Sequence, residues 1–486
     1  MNILNKVALF NDIKLVYSGI YYQYGEKEYI LNGCHPKLKE HIENTLHMDS
    51  NGISIQDVQE DIAKINENSS WRAHISHSNF YKYIKAHHGK TVMITESDIV
   101  NDGTVYIYPI EICYTLDYML ANYQLTLDGE TYIYTIMDTI HPRVLEGLRA
   151  GYVKFLVNWI HDPLSGSHGI RKLEQLLFNE GIASENIIFV GGNKFDAFYQ
   201  DYPDSQLKIT SGIMVLDQIN QRLTDEYPGI GTLGYKSDYV RPSDLDPTYI
   251  RSKKFICLNR NVNRRHRLLS AFLAAKYNLL ENSIFSFIMI YGYNNKEAIK
   301  DALINYIDYG EELLTMSEKI AGFIPLEVDT MHLSSNKNGF ALNNNKKEFY
   351  AETYINIVNE TAFEGDPNSP FISEKTLHHP IINLQPFIVI GNTMTIRTLN
   401  ELGFKTFHPI IDESYDQCHD PKQRFRLIET EVKKLSELPQ EKLHKLYYGF
   451  QDILLHNQEH AKSYANYNPF EEAFKDIRKW YIKNGI

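Results

Sequence analysis

Short apolar runs alternate with amphipathic segments of helix length along most of this chain, and that rhythm restricts its fold more than any other feature. Runs at 105–112, 132–137, 154–157, 187–190, 213–216, 255–258, 284–290, 354–358 and 387–390 read as strands. Several are followed by helical patterns, as at 170–179, 267–277 and 393–402. Strand and helix in alternation imply parallel sheets with crossover helices, an α/β class. The strands are too many for one ordinary sheet, so two α/β domains are the economical reading.

The stretch 225–252 is rich in Pro and Gly and poor in periodicity, which marks a boundary. The expected organisation is an N-terminal elaboration over 1–100, an α/β domain over 101–245 and a second over 246–420. C-terminal helices over 421–486 start at Asp420-Pro421, with Asp as N-cap and Pro at N1. The run 14–24 looks like part of a hairpin. No repeat of 20–50 residues and no low-complexity tract interrupts the pattern.

Composition removes some functions. With 486 residues and 43% apolar content the chain can bury ordinary cores. Its four Cys, at 34, 113, 257 and 418, form no CxxC pair, which disfavours a disulfide framework or a Cys-based zinc site. A net charge of −12 argues against general nucleic-acid binding, which needs a broad basic face, but not against a local basic pocket. The 34 Tyr suit sugar or nucleotide surfaces, although AT-rich codon usage produces the same excess. Asn2, Lys6 and Asp12 interrupt any signal-peptide core, and the longest apolar stretch, 284–293, is half the ~20 residues that span a bilayer. The default is a soluble, cytoplasmic protein with no transmembrane segment.

Three motif matches fail on context. Gly229-Ile-Gly-Thr-Leu-Gly234 spells a dinucleotide fingerprint, yet no buried strand precedes it and no helix follows. Asp244-Leu-Asp246 spells the DxD metal motif between Pro242 and Pro247, where a solvated loop is expected rather than a strand end. The His pairs at 74/77, 87/88, 161/168 and 378/379 have neither HExxH spacing nor Cys partners, so no metal site is expected.

Two segments carry chemistry. In the first, the strand 255–258 runs into a polar turn and a helix, with Arg260, Arg264, Arg265 and Arg267 within eight residues. Helix N-termini disfavour cations, so four Arg there point to a compensating anion such as phosphate. In the second, the strand 354–358 ends in Asn359 and Glu360; a loop leads to Ser373-Glu374-Lys375 at a helix start, and a strand 386–390 ends in Gly391. Glu374 could accept hydrogen bonds from a ribose or sugar diol, and Lys375 could neutralise a diphosphate. A capping Glu and a surface Lys explain the same residues without a ligand.

Taken together, residues 253–277 and 349–391 resemble the donor-binding domain of the family 10 α-1,3-fucosyltransferases, although Asn359-Glu360 stands where that family has Glu-Asn. The resemblance implies a GT-B architecture of two Rossmann-like domains facing a cleft. It implies a nucleotide-diphosphate sugar in the C-terminal domain, a glycan or other hydroxyl acceptor at the N-terminal one, and inverting transfer with no tightly bound metal or cofactor. Glu374 would contact the donor sugar or ribose. Lys375 and one of Arg264, Arg265 or Arg267 would neutralise the leaving diphosphate, with fixed positive charge in place of a cation.

An inverting transfer needs a general base, for which strand-end position nominates Glu111, His161 and Asp162, with Asp138 behind them. Asp412, Glu413 and Tyr415 could line a cleft, though structural roles are the simpler reading. The expected function is glycosyl transfer. A phage enzyme glycosylating hydroxymethylated DNA bases, and a non-catalytic nucleotide-sugar- or glycan-binding protein, are the alternatives.

Overall fold

In the computed structural model, residues 99–111, 123–211, 239–326, 347–364 and 370–464 are described with short interruptions, together with four strands before residue 96. Packing divides the chain into two units, Met1–Met214 with Asn468–Ile486, and Val215–Tyr467.

The first unit contains ten strands among the described residues. They are β1 (Lys14–Tyr17), β2 (Gly19–Tyr24), β3 (Lys27–Asn32), β4 (Val92–Thr95), β5 (Tyr106–Glu111), β6 (Tyr123–Leu127), β7 (Glu130–Tyr134), β8 (Val153–Trp159), β9 (Ile187–Gly191) and β10 (Lys208–Ser211). Six form one sheet in the order β10-β9-β8-β5-β1-β4, every pair parallel. Strand β9 is buried along its whole length, as expected of a strand covered on both faces. Helices α1 (Pro142–Ala150) and α2 (Ser167–Asn179) bring Leu148, Ile170, Leu173 and Leu177 into one core with Tyr106, Tyr108, Phe155 and Phe189 of the sheet. Helix α1 stops at Gly151, whose φ of 86° suits a residue without a Cβ.

Three expectations change here. The boundary read at residue 100 does not separate folding units, because β1 and β4 belong to the same sheet as β5. The hairpin-like run 14–24 holds in part: Gly19–Tyr24 is β2, paired antiparallel with β3, whereas Lys14–Tyr17 is β1, a parallel strand of the sheet. The strand read at 132–137 is β7, paired antiparallel with β6 across Asp128-Gly129, a strong hairpin dipeptide. It therefore ends at Tyr134 and does not reach Asp138. The strand read at 213–216 lies outside the described residues; among the described strands β10 stands at one end of the sheet.

The second unit is built on β11 (Lys253–Asn261), β12 (Ile284–Met289), β13 (Thr353–Asn359) and β14 (Phe387–Ile390). Their order is β12-β11-β13-β14, again all parallel. The seven residues of β13 are all buried. Helix α3 (Leu268–Lys276) is apolar on nearly every side, and its residues Leu268 to Ala275 are all buried. It packs against α4 (Lys296–Leu303) and α5 (Gly310–Phe323). Beyond β14 come α6 (Thr395–Glu401), α7 (Pro421–Ser436), α8 (Gln440–Gly449) and α9 (Gln451–Ser463). Asp420 caps α7 by accepting from Gln423 N at 2.7 Å, with Pro421 in the first turn. Helices α7 and α8 pack on β14 and β13, so this C-terminal segment completes the second unit.

Several Tyr are structural. Tyr106, Tyr108, Tyr350, Tyr354, Tyr415 and Tyr447 are among the largest fully buried side chains. The Tyr447 hydroxyl donates to Leu384 O at 2.7 Å, which satisfies its polar end inside the core. No helix among the described residues is long and apolar enough to cross a membrane.

Candidate functional site

The order β12-β11-β13-β14 creates a switch point in the second unit. From β11 the chain crosses to β12 on one side and later enters β13 on the other. Loops leaving the carboxyl ends of β11 and β13 therefore part in opposite directions, and in open α/β sheets ligands bind in the crevice between such loops.

The β11 loop contributes a single helical turn, Arg265–Arg267, before α3 begins. The β13 loop contributes Glu360 to Glu364, and the later segment 371–376 closes over it. Arg264 Nη1 donates to Thr361 O. His266, 6% exposed, stands with Nε2 at 2.9 Å from Glu360 O, so this nitrogen carries the proton. Burial, aided by the nearby charges of Arg267, Arg264 and Lys375, drives the His266 pKa down to about 3. A neutral imidazole thus sits within electrostatic reach of three cations.

Lys375 enters from the other side. Its Nζ donates to Thr361 Oγ1 at 3.1 Å, and its backbone N donates to Ser373 Oγ at 3.2 Å. Thr361 is the meeting point, with its carbonyl on Arg264 and its hydroxyl on Lys375. The helix start read at Ser373-Glu374-Lys375 is a short turn, Glu374–Thr376, that widens into a π-turn at Leu377–Ile381. Pro380 lies in that turn and cannot donate to an α-helical ladder, which accounts for the change of pitch.

Glu360 is turned inward. It is 1% exposed, and its carboxyl accepts from Thr361 N at 3.0 Å, from Ser373 N at 3.2 Å and from the Thr376 hydroxyl. It fixes the loop that carries Thr361 and is committed to protein donors. Asn359 points into a buried polar cluster, where Nδ2 donates to Ser270 Oγ at 2.7 Å and to Asn259 Oδ1 at 2.9 Å. Cys257 closes this cluster as a free thiol that burial pushes up to about 11. Ser373 is also buried, leaving Lys375 and the Arg turn as the cationic lining. Arg265 is exposed at the rim. Arg260 and Glu374 occupy strand β11 and the first position of the short turn, and their side chains lie outside the described residues.

Sequence reasoning missed Arg424. This residue of α7 is 3% exposed, and its guanidinium lies 4.1 Å over the Phe363 ring. Nη2 donates to Phe363 O and Nη1 to Cys418 O at 3.0 Å. Burial lowers its pKa to about 10. Phe363 in turn stacks on His266, with centroids 6.1 Å apart and planes at 15°. Arg424 therefore braces the β13 loop against the Arg turn. The available signal was the one used for Arg264 to Arg267, a cation near a helix N-terminus where the dipole disfavours it.

Other candidates are placed differently. Glu111 ends β5 opposite Asn158 of β8, so two neighbouring strands of the first unit end side by side. The Glu111 side chain, all of His161 and Asp162, and Asp138 lie outside the described residues, as does Gly229–Gly234. Asp244 pairs with Lys347 at 2.9 Å and accepts from Arg241 N, while Asp246 accepts from Thr248; both carboxylates belong to exposed turns, as their Pro-rich setting implied. No group of three or more His, Cys, Asp or Glu able to hold a metal occurs among the described residues. A separate depression of about 690 Å³ borders α6, with Asp412 and Glu413 in its wall. Its acids serve local loops: Glu413 accepts from Phe407 N and Asp412 from Ser414 N. Tyr415 is buried, and its oxygen accepts from Val389 N. No protein-family model and no curated protein matches the chain.

Proposed function

We propose that the protein is a glycosyltransferase that moves a sugar from a nucleotide-diphosphate donor to a hydroxyl acceptor, with the donor held in the second unit. The convergence of Arg264 and Lys375 on Thr361, at the switch point of a parallel sheet, carries this reading. Arg267 adds a third cation close to the same loop. Two guanidinium groups and an ammonium suit a diphosphate, which gains negative charge as it departs.

In the reaction the acceptor oxygen attacks the anomeric carbon. A new C–O bond forms as the bond from that carbon to the diphosphate oxygen breaks, and the acceptor proton passes to a base. The electron pair leaves with the nucleoside diphosphate, towards Arg264, Arg267 and Lys375. Glu111, His161 and Asp162 remain the nominees for the base, and direct attack on the face opposite the departing diphosphate makes transfer inverting.

A thermal-shift screen with nucleotide sugars and nucleoside diphosphates tests the reading. At least one nucleoside diphosphate should raise the melting temperature, and Lys375→Ala should lose both that shift and sugar transfer. A full panel without stabilisation would refute the donor site. Stabilisation without transfer or donor hydrolysis would leave a binding protein.

A further inference from the structure

The end of β14 holds a polar group that the cationic lining does not explain. Asn392 follows Gly391 at the carboxyl edge of the sheet and is 6% exposed. Its amide oxygen is buried and has no hydrogen-bond partner. Asn359 Oδ1, at the end of the neighbouring β13, is in the same condition. Buried polar groups in native proteins are nearly always satisfied, so an orphan acceptor at a ligand-binding edge calls for a donor from outside the chain.

Asn392 stands beside the site. Glu360 N donates to Ile390 O at 2.9 Å, which extends the pairing of β13 and β14 past the strand ends. Gly391 lies against Glu360 so closely that an added Cβ would sit 2.9 Å from Glu360 Cβ. The next residue of one loop is Thr361, which holds Arg264 and Lys375; the next residue of the other is Asn392.

Held by Arg264, Arg267 and Lys375, phosphate oxygens are kept ionised and accept hydrogen bonds without donating them, so an anion alone would fill the cationic part and leave the Asn392 oxygen unsatisfied. A ligand that satisfies both parts carries an anion and, a short distance away, an O–H or N–H donor. We propose that Asn392 receives a donor from the nucleoside portion of the ligand, a ribose hydroxyl or a base N–H, and so makes the site selective for nucleoside diphosphates over simple phosphates. This inference rests on the donor site proposed above.

Calorimetric titration of the full chain with inorganic pyrophosphate and with a panel of nucleoside diphosphates is the test. Wild type should bind its best nucleoside diphosphate at least about tenfold more tightly than pyrophosphate. Asn392→Ala should erase about tenfold of that preference and leave pyrophosphate binding unchanged. The 2′-deoxy and 3′-deoxy diphosphates separate the two donors: if they lose the same preference the partner is the ribose, and if they keep it the partner is the base. Asn392→Ser, which retains an acceptor, should keep part of the preference and serves if the Ala variant melts early. An unaltered preference in both variants overturns the proposal while leaving the anion site standing. Wild type that binds neither pyrophosphate nor any nucleoside diphosphate overturns the donor site itself, and this inference with it.

Discussion

Truncating Glu360 should damage the second unit far more than its position in a surface-edge loop implies. Two backbone amides and one hydroxyl converge on its carboxyl: Thr361 N at 3.0 Å, Ser373 N at 3.2 Å and Thr376 Oγ1. Glu360→Ala removes their acceptor in a place water scarcely reaches. Each orphaned buried amide costs about 1–3 kcal/mol, so the two together predict a loss of about 4 kcal/mol. Glu360→Gln is the control. Its carbonyl can face the two amides while the Thr376 hydroxyl turns to accept from the new N–H₂, for a cost of about 1 kcal/mol. Urea unfolding followed by circular dichroism reads both variants. An Ala variant within about 0.5 kcal/mol of wild type, or a Gln variant as damaged as the Ala variant, would refute the bracket role.

Gly391→Ala should destabilise by about 1–3 kcal/mol, since its Cβ would meet Glu360 Cβ and Val389 Cγ1 at 2.9 Å; a lowered melting temperature checks it. His266 adds a pH dependence. Its pKa falls from the ordinary 6.5 to about 3, so the folded state binds this proton less readily than the unfolded state. The stability it contributes is present above 6.5 and is lost as pH drops from there towards about 3. Relative to wild type, His266→Gln should flatten unfolding free energy against pH across that window; parallel curves would contradict the burial argument. Arg424→Met keeps the apolar stem but deprives the Phe363 and Cys418 carbonyls of donors. It should cost about 2–3 kcal/mol and weaken phosphate binding, read by thermal melting and calorimetry.

What the sequence disclosed depended on range. Strands β8, β9, β11, β13 and β14 were readable because each carries a short run dominated by apolar residues, the signature of burial on both faces. Strand β1 was misread because four residues carry little periodicity and its partner, Val92–Thr95, is remote in sequence. The Arg turn could be located from helix-dipole logic alone. The fate of Glu360 could not: whether a strand-end carboxylate faces a ligand or its own chain depends on Ser373 and Thr376, which a loop delivers from farther along. Arg424 was hidden for the same reason, since the ring it covers lies 61 residues earlier.

The wiring of the switch point also sets an order of events during synthesis. Arg264 and Thr361 are 97 residues apart, and Arg424 comes later still. A chain emerging from the ribosome carries its Arg turn long before Thr361, Lys375 or the Arg424 brace exists. Closing such long loops is an entropic cost met only when β13, β14 and α7 are all present. These contacts therefore form late and do not serve as an early folding nucleus. Their formation registers that synthesis has passed residue 424 and that the second sheet has closed.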